Sequence, residues 1–491
     1  MAKGAAWMVL LKILERGIGL ISTVILARLL IPQDFGLIAM AMSIIAVLQL
    51  FGDVGFEVAI IQNNNAEPKH YDTAWTFNLF FGIIACITLL VLARPTALFY
   101  EEPRLAAIIY VLAIGVLIKG LANIGIVDFR KELQFDKDFK FLLARKLSGF
   151  FITVPIALIY KSYWALVLGI VGSNLFSTVL SYLVHPYRPK ITLSAWNDMF
   201  HFSKWLLFSN ILGFLRIRSS DFIIGKIIGP HALGLFSISY EISNLPTSEL
   251  SAPINRAVFP AYAKLSHDAR ALRQNFLNVL SILAILVLPI GTGMAVLSGP
   301  LVLFVLGEKW IESAPLITLL AFSGIVSATQ SNTASIYLAI KRPNLLTLMH
   351  GVSLLILVPL TIWLSGLYGV VGAAWAYIIT AIFSLPLNYA IVFALLRIKV
   401  SMFLFYVWRP VVSTLIMYQA TSNYLEYSKE LFVNSPVILP LFTSVLVGAI
   451  VYCVAILAFW QLSSRPDGAE GYLIKKTIKL IRKYFPRADD E

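Results

Sequence analysis

Long apolar segments recur along the whole chain, and they constrain the fold more than any other feature. Each is about 20 residues long, the length that a helix needs to cross the hydrocarbon core of a bilayer. The chain has 491 residues, of which 59% are hydrophobic and 13% charged, whereas a soluble protein carries about 25% charged residues. The segments are continuous rather than alternating, which excludes a β-barrel. We therefore predict an all-α polytopic membrane protein.

Fourteen transmembrane helices are predicted, and the short segment 410–424 is the weakest of them. The predicted spans are 7–31, 36–61, 73–93, 105–127, 141–160, 163–184, 202–228, 231–260, 276–298, 316–340, 345–365, 368–396, 410–424 and 435–461. We expect an N-terminal lobe at 1–200 (spans 1–6), a C-terminal lobe at 201–400 (spans 7–12) and two extra helices at 401–462. A basic tail, 463–491, completes the predicted organisation.

The distribution of Lys and Arg predicts the orientation. With the N-terminus in the cytoplasm, 25 of these residues fall in inside segments and 5 in outside segments, as the positive-inside rule requires. Both termini are then cytoplasmic. The net charge of +13 follows from these loops, so nucleic acid is not an expected partner.

The stretch GYLIKKTIKLIRKYF (471–485) places apolar residues at helical spacing against lysines and arginines. This pattern predicts an amphipathic helix on the anionic inner leaflet. Topology anchoring is the simpler interpretation of the same charges, and a regulatory contact is the alternative.

A repeat with an offset of 198 residues relates span 1 to span 7. ILARLLIPQDFGLIAMA (25–41) aligns without gaps to IIGKIIGPHALGLFSIS (223–239), and 8 of the 31 positions from Trp7 to Leu37 are identical to their counterparts. Six spans separate the copies, so both have the same orientation, as in transporters built from parallel repeats. Pro32 and Pro230 are each predicted to end the span before them, since proline cannot continue a helix interior. Gly36 and Gly234 are predicted to open the next.

Charged residues inside the predicted spans concentrate in spans 1, 2, 7 and 8. Such residues are costly within a bilayer, and Lys119 in span 4 is the one outlier, because Arg145 and Lys146 at the start of span 5 are counted with the cytoplasmic cations. The charged residues are Lys12, Glu15, Arg16, Arg28, Asp53, Glu57, Lys204, Arg216, Arg218, Asp221, Lys226, Glu241, Glu249 and Arg256. Equivalent helices of the two halves are therefore expected to line one water-filled cavity.

Local spacing leaves two interpretations open for these charges. Asp53 and Glu57 are four residues apart, and Arg218 and Asp221 three apart, so each pair shares a helix face. Local pairing, or snorkelling near a span end as for Arg28 and Lys226, is the structural interpretation. A functional role in lining the cavity is the other interpretation. In span 8, Pro246 and Pro253 are predicted to leave backbone carbonyls unpaired, which is tolerated where the backbone lines a cavity.

Motifs for catalysis, cofactors and metals are not found in the sequence. It contains no GxxxxGK[ST] and no HExxH. Cys86 and Cys453 lie within apolar segments, where core filling is expected. External segments are too short for the domains that membrane glycosyltransferases, polymerases and ligases use. We therefore expect a carrier with no catalytic residues, cofactor or metal.

The motifs LARLLIPQDFGLIAMA (26–41) and FGDVGFEVAIIQ (51–62) resemble the N-terminal signature of Wzx-type polysaccharide flippases. These belong to the multidrug/oligosaccharidyl-lipid/polysaccharide exporter superfamily. FRKELQF (129–135) and NRAVFPAYAKL (255–265) also resemble its WzxC, or colanic-acid-exporter, branch. The resemblance covers essentially the whole chain, and its N-terminal motif is the most specific part.

The resemblance implies two six-helix lobes forming a V around a central cavity. It implies a bacterial inner-membrane protein that moves an undecaprenyl-diphosphate-linked oligosaccharide to the periplasmic leaflet by alternating access coupled to an ion gradient. Expected partners are that glycolipid, membrane lipids and a polysaccharide polymerase. The candidate cations for the diphosphate are Arg16, Arg216 and Arg218, with Arg28 and Lys226 nearer the external mouth. Asp53, Glu57 and Asp221 would bind a coupling ion or balance charge.

Three rival functions follow from the same pattern. A drug/cation antiporter of the superfamily would favour an acidic cavity, whereas the intramembrane charges here include 9 Lys or Arg against 6 Asp or Glu. A lipid II flippase would have a similar cavity and a different glycan. A membrane glycan polymerase or ligase is the rival from another class.

Overall fold

The computed structural model describes residues 2–52, 56–63, 65–196, 218–432, 435–465 and 468–471. Within these ranges the chain is helical, with no strand. The chain divides into two compact units, Met1–Ser237 and Ile238–Glu491. The helical structure of these ranges confirms the predicted all-α class of membrane protein.

Nine of the described helices lie wholly within the first unit, and a tenth crosses the unit boundary. They are α1 (Ala2–Leu29), α2 (Pro32–Gly52), α3 (Phe56–Gln62), α4 (Pro68–Phe99), α5 (Arg104–Gly120), α6 (Asp128–Lys131), α7 (Phe135–Tyr160), α8 (Trp164–Val184), α9 (218–227) and α10 (Pro230–Lys264). A 3₁₀ turn, Ile124–Val127, precedes α6. In this unit α4 packs against α5, α7 against α8 and α1 against α7.

Among the described residues, the second unit contains the rest of α10 and six further helices. They are α11 (Ala269–Val296), α12 (Ser298–Val305), α13 (Ser313–Ala339), α14 (Pro343–Leu396), α15 (Val400–Leu431) and α16 (Ile438–Leu462). A core cluster that includes Phe276, Tyr337 and Tyr389 joins α11, α13 and α14. Helix α15 packs against α11 and α16.

Among the described helices, nine are long and apolar enough to span a membrane, or ten if the bent pair Arg104–Gly120 and Ile124–Lys131 counts as one span. Helices α1 and α10 are not among them, and each mixes charged residues into its apolar sequence. The count of fourteen therefore stays a prediction. Much of predicted span 7 lies in 197–217, outside the described residues.

Helix α14 is two helices joined at a sharp break. Gly369 has φ 60° and ψ −144°, a conformation that is essentially restricted to glycine. A Cβ added to Gly372 would lie 1.9 Å from the carbonyl oxygen of Leu364, so the chain folds back on itself here. An unbroken helix of 54 residues would be about 80 Å long, far longer than a bilayer. The break agrees with the predicted boundary between spans 11 and 12.

Two predicted boundaries were wrong. Helices α2 and α10 begin at Pro32 and Pro230 rather than at the glycines four residues later. Proline suits the first helical position because its fixed φ is helical and its missing N–H would have no partner there. The weak span 410–424 lies within the 32-residue helix α15, which continues through Pro410.

Candidate functional site

The two copies of the Pro-x-x-x-Gly motif contact each other, and we call this contact the Pro–Gly crossing (Pro32–Gly36 with Pro230–Gly234). A Cβ added to Gly36 would lie 1.7 Å from the carbonyl oxygen of Pro230, and one added to Gly234 would lie 1.8 Å from that of Pro32. No side chain fits at either position. The sequence repeat is therefore also a spatial pair within the first unit.

Asp34 holds the start of α2 in place. Its buried carboxylate accepts hydrogen bonds from the backbone N–H of Ile31 at 3.2 Å and of Tyr163 at 3.1 Å. These bonds join the connection before α2 to the connection before α8. The acidic residue after the proline therefore has a structural role as an anchor of the crossing.

Arg218 and Asp221 form an ion pair in α9, which is the local pairing that their spacing had left open beside a cavity-lining role. The Nη1 of Arg218 donates to Oδ2 of Asp221 at 2.9 Å. The Asp221 carboxylate is largely buried, whereas 40% of the Arg218 side chain is exposed. The guanidinium thus neutralises a buried carboxylate and keeps an accessible face.

Lys226 lies at the end of α9 and pairs with a residue that the sequence analysis did not single out. Its Nζ donates to Oε1 of Glu101 at 2.7 Å and lies 5.5 Å from the ring centroid of Phe99. Lys226 lowers the pKa of the exposed Glu101 carboxyl. Gly225 beside it packs closely against Tyr100 and Met40. These contacts attach the end of α9 to the α4–α5 connection and to α2.

Glu57, at the start of α3, lies beside cations rather than alone. Its Oε2 is 3.6 Å from Nη1 of Arg130, and the Nε of Arg130 is 3.2 Å from Oδ2 of the buried Asp138. This arrangement supports charge balancing for Glu57. Arg16 and Arg28 both lie on α1, where their side chains are exposed.

Two predicted site residues, Asp53 and Arg216, lie outside the described residues, as does the tail from 472 onward. Among the residues that are described, no group of three or more His, Cys, Asp or Glu could hold a metal ion.

Pro246 and Pro253 do not break the helix as predicted, because α10 continues through both and through Pro260. Neighbouring side chains bond to carbonyls of the same helix. Thr247 donates to the carbonyl of Asn244 at 3.0 Å, and Ser248 donates to that of Leu245 at 3.1 Å.

A cavity of about 250 Å³ inside the first unit was missed by the sequence analysis. It lies among α2, α3, α4, α5, α7 and α8, and Lys119 and Arg145 both line it. Lys119 could have pointed to the cavity, because a charged residue inside a predicted span has a free-energy cost that needs an explanation. Arg145 had been counted only as a cytoplasmic cation.

The long apolar helices and the proline-containing repeat define a polytopic helical membrane protein. The structure is similar to lipid II flippase MurJ in an inward closed conformation, with a TM-score of 0.75 and 13% identity over 93% of this chain and 100% of that one. It is also similar to an inward-facing multidrug resistance MATE family transporter of the MOP superfamily. That TM-score is 0.59, with 14% identity over 78% of this chain and 96% of that one.

Residues 25–315 match the family described as polysaccharide biosynthesis protein, and the chain belongs to that family. It is 26% identical over 390 residues to the lipopolysaccharide biosynthesis protein WzxC of Escherichia coli (strain K12), covering 79% of each chain. It is 23% identical to the succinoglycan biosynthesis transport protein ExoT of Rhizobium meliloti (strain 1021), covering 99% of this chain and 96% of that one.

Proposed function

We propose that this protein is a flippase that moves undecaprenyl-diphosphate-linked oligosaccharide units from the cytoplasmic to the periplasmic leaflet of the bacterial inner membrane. The observation that carries the proposal is the family match over residues 25–315. Relatives named for lipopolysaccharide biosynthesis and succinoglycan transport cover most or nearly all of the chain. The protein is a transporter and not an enzyme.

The cations of the first unit support a substrate that carries a diphosphate. Arg16, Arg28, Arg218 and Lys226 lie on α1 and α9, the helices related by the repeat. Guanidinium groups bind phosphate oxygens bidentately and stay charged in any environment. Arg216 is proposed for the same role from the sequence. Pairing with Asp221 leaves Arg218 40% exposed, so it keeps donors for a ligand.

The acidic residues are proposed to balance charge or to bind a coupling ion during alternating access. For Glu57, the nearby Arg130 at 3.6 Å supports charge balancing. Asp221 is paired with Arg218, so Asp53 is the remaining candidate for binding a coupling ion. Undecaprenyl-diphosphate-linked glycan and membrane lipids are the proposed partners, with a polysaccharide polymerase acting on the exported unit.

Deletion of the gene tests the proposal. Lipid-linked oligosaccharide should accumulate on the cytoplasmic side, and purified protein in vesicles should move that glycolipid without ATP. Accumulation of lipid II instead would make the protein a peptidoglycan-precursor flippase. Lengthening of the glycan by the purified protein would place it among the polymerases.

A further inference from the structure

The cavity inside the first unit combines two cations with uncharged polar groups. Lys119 comes from the last turn of α5 and Arg145 from α7. Four other polar residues that we use here also line it: Glu57, Asn78, Asn174 and Ser177. We call this space the α5–α7 cavity. The α1 and α9 cations to which the diphosphate is assigned above do not line it.

Neither cation of the α5–α7 cavity has a carboxylate within ion-pair distance in the part of the chain that the structure describes. The one acid that lines the cavity, Glu57, is oriented with Oε2 3.6 Å from Arg130. Arg130 does not line the cavity, so the lining itself holds two cations and one partly neutralised carboxylate. This excess of positive charge suits an anion.

Close backbone packing between α4 and α5 forms part of the wall of the cavity. A Cβ on Gly120 would lie 2.7 Å from the carbonyl oxygen of Asn78, and one on Gly82 would lie 3.2 Å from the Cα of Gly120. Helices α4 and α5 therefore meet at these glycines, directly beside the space. Asn174 donates from Nδ2 to the carbonyl of Gly115 at 3.1 Å, which fixes its amide at the opposite wall.

The helix dipole explains only part of this arrangement. A lysine in the last turn of a helix is stabilised by the negative end of the dipole, which accounts for Lys119. It does not account for Arg145, which lies ten residues into α7. It also does not account for a cavity of about 250 Å³.

We propose that the α5–α7 cavity is a second anion site, which binds a phosphate group through Lys119 and Arg145. A guanidinium and an ammonium are the two side chains that proteins use most for phosphate, and Ser and Asn side chains can add donors. The existence of an anion site rests on the cavity. The choice of phosphate rests on the proposed function, whose substrate carries a diphosphate. The phosphate comes from that substrate or from an anionic phospholipid headgroup.

Pyrophosphate binding to the purified protein in phosphatidylcholine nanodiscs, measured by calorimetry, tests the proposal. Lys119→Gln and Arg145→Gln should each weaken binding by about tenfold, the loss expected for one charge-assisted contact. Lys140→Gln is the matched control, because Lys140 is an exposed cation on α7 that does not line the cavity. Asn78→Leu, which removes a polar group from the lining and keeps both charges, should also weaken binding. Because it keeps both cations, the Asn78 variant still tests the site if Lys119→Gln or Arg145→Gln fails to fold.

Two further measurements separate the outcomes. Phosphatidylglycerol is added to the nanodisc as a competitor. If it abolishes pyrophosphate binding by the native protein but does not change the binding that remains in Lys119→Gln, the site takes a lipid headgroup. Without that competition, the site takes the substrate diphosphate. Absence of pyrophosphate binding, or binding lost in Arg16→Gln but unchanged in all three cavity variants, overturns the proposal. A protein that binds pyrophosphate here but moves no lipid-linked glycan would refute the proposed function and leave the anion site standing.

Discussion

Gly36 and Gly234 lie against each other, and each excludes a side chain from the other. The backbone nitrogen of Gly234 would be 3.0 Å from a Cβ on Gly36, and the nitrogen of Gly36 would be 3.0 Å from a Cβ on Gly234. The residues are 198 positions apart and occupy the same place in the repeat. This symmetry makes the crossing a fixed point at which α2 and α10 begin.

Alanine at either glycine of the crossing should destabilise the protein. The added carbon meets a backbone carbonyl, which cannot rotate away, so the cost should reach or exceed the ~1–3 kcal/mol typical of overpacking. Thermal unfolding of Gly36→Ala and Gly234→Ala in detergent measures it. Gly293→Ala in α11 is the control, since nothing lies within 4 Å of its Cβ position. A loss in the control equal to that in both variants would contradict the prediction.

The Arg218–Asp221 pair gives a test that separates folding from transport. Arg218→Ala leaves the buried Asp221 carboxylate without its 2.9 Å partner, and protein abundance should fall because an unpaired buried charge is costly. Adding Asp221→Ala should restore abundance. If Arg218 also binds the substrate diphosphate, the double variant should still fail to export glycan. Full export by the double variant would confine Arg218 to a structural role.

Arg409 on α15 and Glu470 form a buried ion pair that holds the start of the C-terminal segment. Their Nε and Oε1 atoms are 2.7 Å apart, and the exposed fractions of the two side chains are 1% and 4%. The guanidinium also lies 5.3 Å from the ring centroid of Phe405. The pair fixes residues 468–471 against α15.

Replacing one partner of this pair should cost about 3–5 kcal/mol, whereas replacing both should cost much less. Unfolding of Arg409→Met, Glu470→Leu and the double variant by chemical denaturant checks this. The exposed Arg270, as Arg270→Met, serves as the control. Additive losses in the double variant would show that the two residues act independently.

His185, just after α8, should make stability depend on pH. Burial lowers the pKa of its imidazole, and the nearby Asp128 opposes this effect. The Nδ1 atom accepts from the backbone N–H of Tyr187 at 3.2 Å, and Nε2 is 3.5 Å from Oδ2 of Asp128. The contribution should be complete above about pH 6.5, the usual pKa of histidine, and should decline as pH falls towards the lowered folded value. Melting temperatures from pH 8 to pH 5 measure it, and His185→Gln should flatten that slope. An unchanged slope would assign the acid sensitivity to other groups.

The proposed orientation can be checked by labelling. Cysteines at Lys309 or Lys429 should react with an impermeant reagent from the periplasm, and cysteines at Lys137 or Arg270 should not. All four positions are exposed in the structure, so a lack of reaction reports sidedness and not burial. Labelling of Lys137→Cys from outside would reverse the orientation and the direction of transport.

Local pattern predicted the features that depend on neighbours in sequence. Apolar length predicted the membrane class, and the three-residue spacing placed Arg218 and Asp221 on one helix face, with pairing as one of two interpretations. The offset between the copies identified Pro32 and Pro230 as equivalent, although it placed the helix starts four residues late. Each of these depends on residues within a few turns of one helix or on direct repetition.

Long-range partners could not be read in the same way. Lys226 pairs with Glu101 across 125 positions, and Arg409 pairs with Glu470 across 61. The cations at 119 and 145 come from different helices, and only the packing of α5 and α7 around one space relates them. Periodicity gives the face of a helix on which a residue lies, but not which other helix that face meets.

The Pro–Gly crossing also bears on how the two copies of the repeat have diverged. Only 8 of 31 aligned positions remain identical, yet the proline and the glycine are among them in both copies. A side chain gained at Gly36 would collide with Pro230, and one gained at Gly234 would collide with Pro32. After duplication, neither copy could accept a larger residue here without a compensating change in its twin. The ancestral motif is thus preserved at a place where its two copies meet.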